Sequence, residues 1–203
     1  MNWRKLKSKN RLIPFTLTAI VAMGLACSTR PYSWHGSLYD PPQPAPDFSI
    51  SNPSGPGFKL SDQRGEVTLL YFGYTYCPVV CPATVAIMSQ AFESLNAAPD
   101  EIQFVMISLD PERESPEEVA AYMRRFHPDF LGLWADRTQL DIIKKDYGVV
   151  AIREPSENPE TYLITHSARV FLIDQQGRLR AHYAFGSTPD DFIADLHYLS
   201  EEG

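Results

Sequence analysis

Cys77 and Cys81 stand four residues apart in the stretch FGYTYCPVVCP, and a proline follows each of them. Two thiols at that spacing can close a disulfide, exchange electrons with a client, or offer two soft ligands to a metal. The gap holds three residues, Pro78, Val79 and Val80, one more than in a CxxC redox motif. A disulfide across it is still allowed, and there is added room for an ion between the sulfurs. Pro78 and Pro82 stiffen the loop. Cys81 falls where Pro82 opens a helix, so free N–H groups there are expected to favour its thiolate.

Two sulfurs seldom complete a metal site, and the third ligand is sought among His35, His127, His166, His182 and His197. His35 lies in a Pro-rich segment, His127 precedes Pro128 at a helix end, His182 belongs to a strand near a far turn, and His197 to the last helix. His166 ends YLITH, directly before the apolar run RVFLID. If that run pairs beside the cysteine-bearing strand, its loop end can approach Cys77 and Cys81. From chemistry alone, a metal ligand and an ordinary surface histidine both stay open for His166. Two thiolates and an imidazole suit Cu(I), or copper in either oxidation state, and zinc would accept the same set with a fourth ligand. Met88, Met106 and Met123 could supply thioethers, but their helix and strand spacing reads as core.

These residues need elements to hold them. VTLLYFGY, Val67 to Tyr74, reads as a buried strand. The helix after it carries Val85, Met88, Phe92 and Leu95 on one face. IQFVMISLD is the next strand, and Ser115-Pro116-Glu117-Glu118 is a capping box with proline at the first helical position. A short strand at LGLWAD, a helix from Arg137 stopping at Gly148, and a strand at Val149 follow. RVFLID then pairs with Leu179–Ala184 across Asp174–Gly177, and Thr188-Pro189-Asp190-Asp191 opens the last helix. Phe48-Ser49-Ile50 and Phe58-Lys59-Leu60 form a short hairpin. Alternating strands and helices predict a three-layer α/β fold, with the cysteine loop at the carboxyl end of a strand, where sites of such sheets lie. The loop Arg153–Thr161 carries Glu154, Glu157 and Glu160 and no apolar residue. A partner-contacting lid and a solvated connection fit it equally.

The start of the chain speaks to compartment. Arg4, Lys5, Lys7, Lys9 and Arg11 precede the uncharged run Leu12–Thr29, and no acid comes before Asp40. That is the pattern of an export signal or membrane anchor, with its basic end in the cytoplasm and the body outside. Cys27 follows Gly24-Leu25-Ala26, which resembles a lipoprotein box in Ala26 but not in the two positions before it. A lipid anchor on Cys27, an uncleaved helix and a cleaved signal all remain open. The expected organisation is 1–27 signal or anchor, 28–46 a stiff Pro-rich tether, and 47–203 one domain. Setting aside the five basic residues leaves 13 of 18 against 25 acids, a body of about −12, which argues against nucleic-acid binding. With Cys27 in the signal, only Cys77 and Cys81 remain to be oxidised outside the cytoplasm unless a reductant or a metal protects them.

Three blocks, FGYTYCPVVCP, SLDPERESPEE and YLITHSARVFLID, resemble in order and spacing the signature blocks of the Sco/SenC copper proteins. The similarity runs from about Pro46 to about Leu199. It implies a membrane-anchored, thioredoxin-like domain with a central mixed sheet, facing the periplasm or extracytoplasmic side of a bacterial membrane. It also implies a metallochaperone rather than an enzyme. Cys77, Cys81 and His166 would be the copper ligands, with Asp110 and Arg113 of the Asp-Pro-x-Arg block beside the site. The implied client is the dinuclear copper centre of cytochrome c oxidase subunit II or another cuproprotein, with an extracytoplasmic thiol reductant as a second partner. One departure is Thr165, where an Asp often precedes the histidine. The alternative is a thiol–disulfide oxidoreductase or thiol peroxidase. A peroxiredoxin carries Thr three residues before its peroxidatic cysteine, however, and this chain has Pro78 there. A redox couple of Cys77 and Cys81 can also accompany the copper role.

Overall fold

The structure is a computed structural model that describes residues 32–51, 57–95, 101–158 and 160–202. Residues 1–31, including the expected anchor and Cys27, lie outside the described residues. No helix among the described residues is long and apolar enough to cross a membrane.

The strands are β1 (Ser37–Pro44), β2 (Ser49–Ile50), β3 (Phe58–Lys59), β4 (Val67–Gly73), β5 (Ile102–Ser108), β6 (Leu131–Leu133), β7 (Ala151–Arg153), β8 (Ile164–His166), β9 (Arg169–Ile173) and β10 (Arg178–Ala184). The helices are α1 (Val80–Leu95), α2 (Pro116–Arg124), α3 (Arg137–Asp146) and α4 (Pro189–Glu202), with a short 3-10 turn at Leu60–Gln63. One mixed sheet runs β1-β10-β9-β4-β5-β6. β4, β5 and β6 are parallel, and β9, β10 and β1 each join antiparallel. Every residue of β4 is buried, as its nearly continuous apolar run indicates for a strand covered on both faces.

One face is covered by α1, α2 and α4. Phe92 of α1 meets Phe130 at 5.0 Å, Phe130 meets Phe104 of β5 at 4.9 Å, and Tyr183 of β10 meets Phe192 of α4 at 4.2 Å. α2 crosses so close to β6 that a Cβ on Gly132 would stand 2.3 Å from the Val119 carbonyl oxygen. On the opposite face, Tyr147 at the end of α3 sets its ring 5.7 Å from Phe72 and 5.4 Å from Phe171. Met88, Met106 and Met123 are fully buried, as their spacing indicates. The capping box at the start of α2 is complete: Ser115 accepts from the Glu118 amide and Glu118 reaches back to the Ser115 amide.

The Pro-rich segment differs from a free tether. Ser37–Pro44 is an edge strand on β10, with its register shifting between Leu38 and Gln43. An edge strand needs partners on one side only, so Pro41, Pro42 and Pro44 cost it little. The residues before it are strapped to α4. Asp195, fully buried, accepts from the Tyr32 hydroxyl (2.7 Å), the amides of His35 (3.1 Å) and Gly36 (3.0 Å), and the Tyr183 hydroxyl (2.7 Å).

Candidate metal centre

The antiparallel pairing of β9 with β4, Val170 opposite Tyr71, brings the start of β9 beside the cysteine loop. β8 precedes β9 by two residues and pairs with β7 in a two-stranded hairpin, Ala151 opposite His166. In consequence the Cys81 sulfur and the His166 Nε2 lie 3.6 Å apart across 85 residues of sequence. Thiolate and imidazole ligands sit at ~2.3 Å and ~2.0–2.1 Å from a zinc-sized ion. Two such ligands are about 3.6 Å from one another at a tetrahedral angle and about 3.8 Å at a trigonal one, so the pair is spaced as two ligands of one ion are. Cys77 stands on the rim of the same site, and both cysteines are free thiols. Among the described residues, no three His, Cys, Asp or Glu side chains stand preset as a metal cluster. Cys77, Cys81 and His166 nevertheless line one site.

The two sulfurs differ. Cys81 is fully buried and Cys77 half-buried. The Cys81 thiol donates to the Cys77 sulfur, and amides at the start of α1, including that of Cys81 at 3.4 Å, do the same. These donors pull the Cys77 thiol down to about 4. Cys81 is pushed up, first by that same bond to Cys77 and then by burial. The helix start therefore serves Cys77 and not Cys81, contrary to the reading from sequence. Cys81 lies inside the helix with its side chain turned into the core, whereas Cys77 precedes the helix and meets its free N–H groups. Burial pushes the His166 ring down from its ordinary value. The imidazole is thus neutral and able to ligate near pH 7, and its buried Nδ1 has no hydrogen-bond partner.

Space for the sulfur comes from Gly73. A Cβ there would lie 2.6 Å from the Tyr71 ring and 3.2 Å from the Cys81 sulfur. An open groove of about 250 Å3 runs over the site between Tyr74, Cys77, Val79, Leu163 and His166. Its lip is apolar and exposed, with Val79 at 62% and Leu163 at 48%.

Asp110 and Arg113 buttress the loops around this site. Asp110, fully buried, accepts from the Arg113 guanidinium and from the Tyr162 hydroxyl. Arg113 lies over the rings of Tyr76 (4.7 Å) and Tyr162 (3.5 Å) and donates to the Glu160 carbonyl at 3.1 Å. The pair therefore ties the cysteine loop to the loop leading into β8. Sequence reading missed Glu114, which accepts from the Thr75 amide and the Ser108 hydroxyl directly beneath the cysteine loop. It also missed the hydroxyls of Tyr71 and Tyr74. The signals were an acid one residue past Arg113 and two tyrosines in or directly after a mostly apolar strand, since a buried Tyr hydroxyl needs a partner.

A central mixed sheet of this topology, with two cysteines at the start of the helix after its central parallel strand, defines a thioredoxin-like α/β protein. Within that class the chain belongs to the SCO1/SenC family, whose sequence profile matches residues 38–201. It is 30% identical to an SCO2-like protein of Rickettsia felis over 151 residues, which is 74% of each chain. Among solved structures it is similar to the apo Sco1 protein of Thermus thermophilus, with 32% identity and a TM-score of 0.74, covering 84% of this chain and 99% of that one. It is also similar to ScoI of Bradyrhizobium japonicum with copper bound, with 29% identity and a TM-score of 0.69, covering 76% and 98%.

Proposed function

We propose that this chain is a copper metallochaperone that carries one copper ion on Cys77, Cys81 and His166. The observation that carries the reading is the 3.6 Å approach of Cys81 and His166, two soft-metal donors from distant parts of the chain. The similar Bradyrhizobium japonicum protein has copper bound, and two thiolates with a neutral imidazole fit Cu(I) and Cu(II). Copper is cargo here, so the site must release it. An open groove lets acceptor cysteines join the ion before Cys77 and Cys81 let go, and the exposed apolar lip formed by Val79 and Leu163 suits a docking protein.

The acceptor we propose is the dinuclear copper centre of cytochrome c oxidase subunit II, with Glu154, Glu157 and Glu160 helping to orient the complex. Residues 1–27 would hold the domain at the outer surface of a bacterial membrane, through a lipid on Cys27 or a membrane helix. Confinement there raises the effective concentration of membrane-bound acceptors.

A second reading, that the chain reduces client cysteines, is favoured by the asymmetry of the thiols. The Cys77 thiolate would attack a client disulfide to form a mixed disulfide. The Cys81 sulfur would then displace the client as a dithiol and leave a Cys77–Cys81 disulfide, which an extracytoplasmic thiol reductant must reopen.

Copper titration of the purified full chain tests the first reading. One equivalent should bind the dithiol form, with a visible thiolate-to-Cu(II) band, and none should bind the disulfide form. Cys77→Ala or Cys81→Ala should abolish the band. His166→Ala should weaken Cu(II) binding more than Cu(I), which two thiolates already satisfy. Absorption that survives loss of both cysteines would sink the reading. Catalytic disulfide reduction without stoichiometric copper binding would favour the second one.

A further inference from the structure

We propose that Tyr71 tunes the oxidation-state preference of the site through its hydrogen bond to the Cys81 sulfur, shifting it toward Cu(I). The inference rests on the copper reading above. The Tyr71 hydroxyl donates to the Cys81 Sγ at 3.3 Å, and both residues are fully buried. The ring also meets His166 edge-on at 6.2 Å, so Tyr71 touches two of the three proposed ligands. Its position is held tightly. Tyr71 sits in the middle of the buried run of β4, pairs with Met106 and Val170 on either side, and stacks on Phe104 at 6.4 Å. Gly73 leaves this ring and the Cys81 sulfur the space they share.

A donor aimed at a ligating sulfur withdraws electron density from it. A thiolate bound to Cu(I) retains more negative charge than one bound to Cu(II), because the more oxidised ion draws more density from it. The same hydrogen bond is therefore stronger in the Cu(I) state, and it favours that state. Hydrogen bonding around a copper-bound cysteine tunes potential in this way, and groups that orient or bond the ligands change metal affinity by about 10–100-fold when removed. Tyr71 is thus a positioning residue acting through Cys81.

The test is Tyr71→Phe in the full-length protein, read by the energy of the thiolate-to-Cu(II) band and the Cu(II)/Cu(I) potential. Loss of the donor should move the band to longer wavelength. It should also favour Cu(II) over Cu(I) by about tenfold, a fall of about 59 mV for a one-electron couple. A fluorotyrosine at position 71, a stronger donor of nearly the same shape, should move both quantities the opposite way, and it decides the matter if Tyr71→Phe fails to fold. Unchanged band energy and potential in a copper-loaded variant would overturn the role of Tyr71 and leave the copper reading standing. A wild-type protein that takes up no copper would overturn the copper reading itself.

Discussion

The amide of Ile164 donates a 3.1 Å hydrogen bond to the buried hydroxyl of Tyr74. Tyr74 follows β4 directly and leads into the cysteine loop, and Ile164 begins the strand that ends at His166. One hydroxyl therefore joins the two segments that must meet for the site to exist, and the Tyr74 ring also packs edge-on against His166 at 6.0 Å.

Tyr74→Phe should keep the ring and strand the Ile164 amide. An unsatisfied buried donor costs about 1–3 kcal/mol, so the urea midpoint should fall accordingly. With His166 as a proposed ligand, Cu(II) affinity should drop about 10-fold or more, and Cu(I) affinity should change little. Equal losses for both ions would mean that the bond does not act through His166.

Cys77 should alkylate as a thiolate far below the usual thiol range. With its thiol at about 4, the iodoacetamide rate should stay flat from pH 9 to about 5 and fall below that. Buried Cys81 should remain unreacted in the folded protein. Because the bond from Cys81 is the largest cause of the depression, Cys81→Ala should move the midpoint upward. A wild-type midpoint near ~8.5, the value of a free cysteine, would contradict the assignment.

Glu114 carries a pH signature of its own. Burial raises its carboxyl above the ordinary 4.5, against the bonds from Ser108 and Thr75. A carboxyl raised in the folded state contributes stability below its unfolded value and loses it as pH climbs through the folded one. Wild type should therefore lose stability relative to Glu114→Gln as pH rises from about 4.5, measured as the difference in urea midpoints. A difference that does not vary with pH would show that Glu114 titrates normally.

Asp195 holds the chain before β1 against α4 and β10. Asp195→Ala takes the acceptor from the donors of Tyr32, His35, Gly36 and Tyr183, and leaving a buried donor such as the Tyr183 hydroxyl unsatisfied costs about 1–3 kcal/mol. Hydrogen exchange should quicken at Leu38 in β1 while Phe104 in β5 keeps its protection. Uniform loss across the sheet would instead mark Asp195 as a determinant of the whole core.

Several elements were legible from residue order because their causes are local. The run Val67–Tyr74 has the continuous apolar character of a strand buried on both faces, and the Ser115–Glu118 box marks where α2 starts. The Cys-Pro-x-x-Cys-Pro loop announced a site, and its match to the SCO1/SenC family followed from three short blocks. The Pro-rich segment was read from its prolines alone as a stiff spacer. Its strand depends on a free edge at β10, which no local pattern reports.

The centre itself was decided in three dimensions. Sequence supplied two cysteines and five candidate histidines, but which histidine faces the sulfurs depends on β9 pairing with β4 and on the β7–β8 hairpin that carries His166. The division of labour between the thiols likewise depends on which sulfur the core buries and which one meets the amides at the start of α1. Residue identity determines which donors exist and what each can bind. Their distances, and the low-dielectric burial and hydrogen bonds that set their charge, arise only when long-range strand pairing brings segments 85 residues apart into contact.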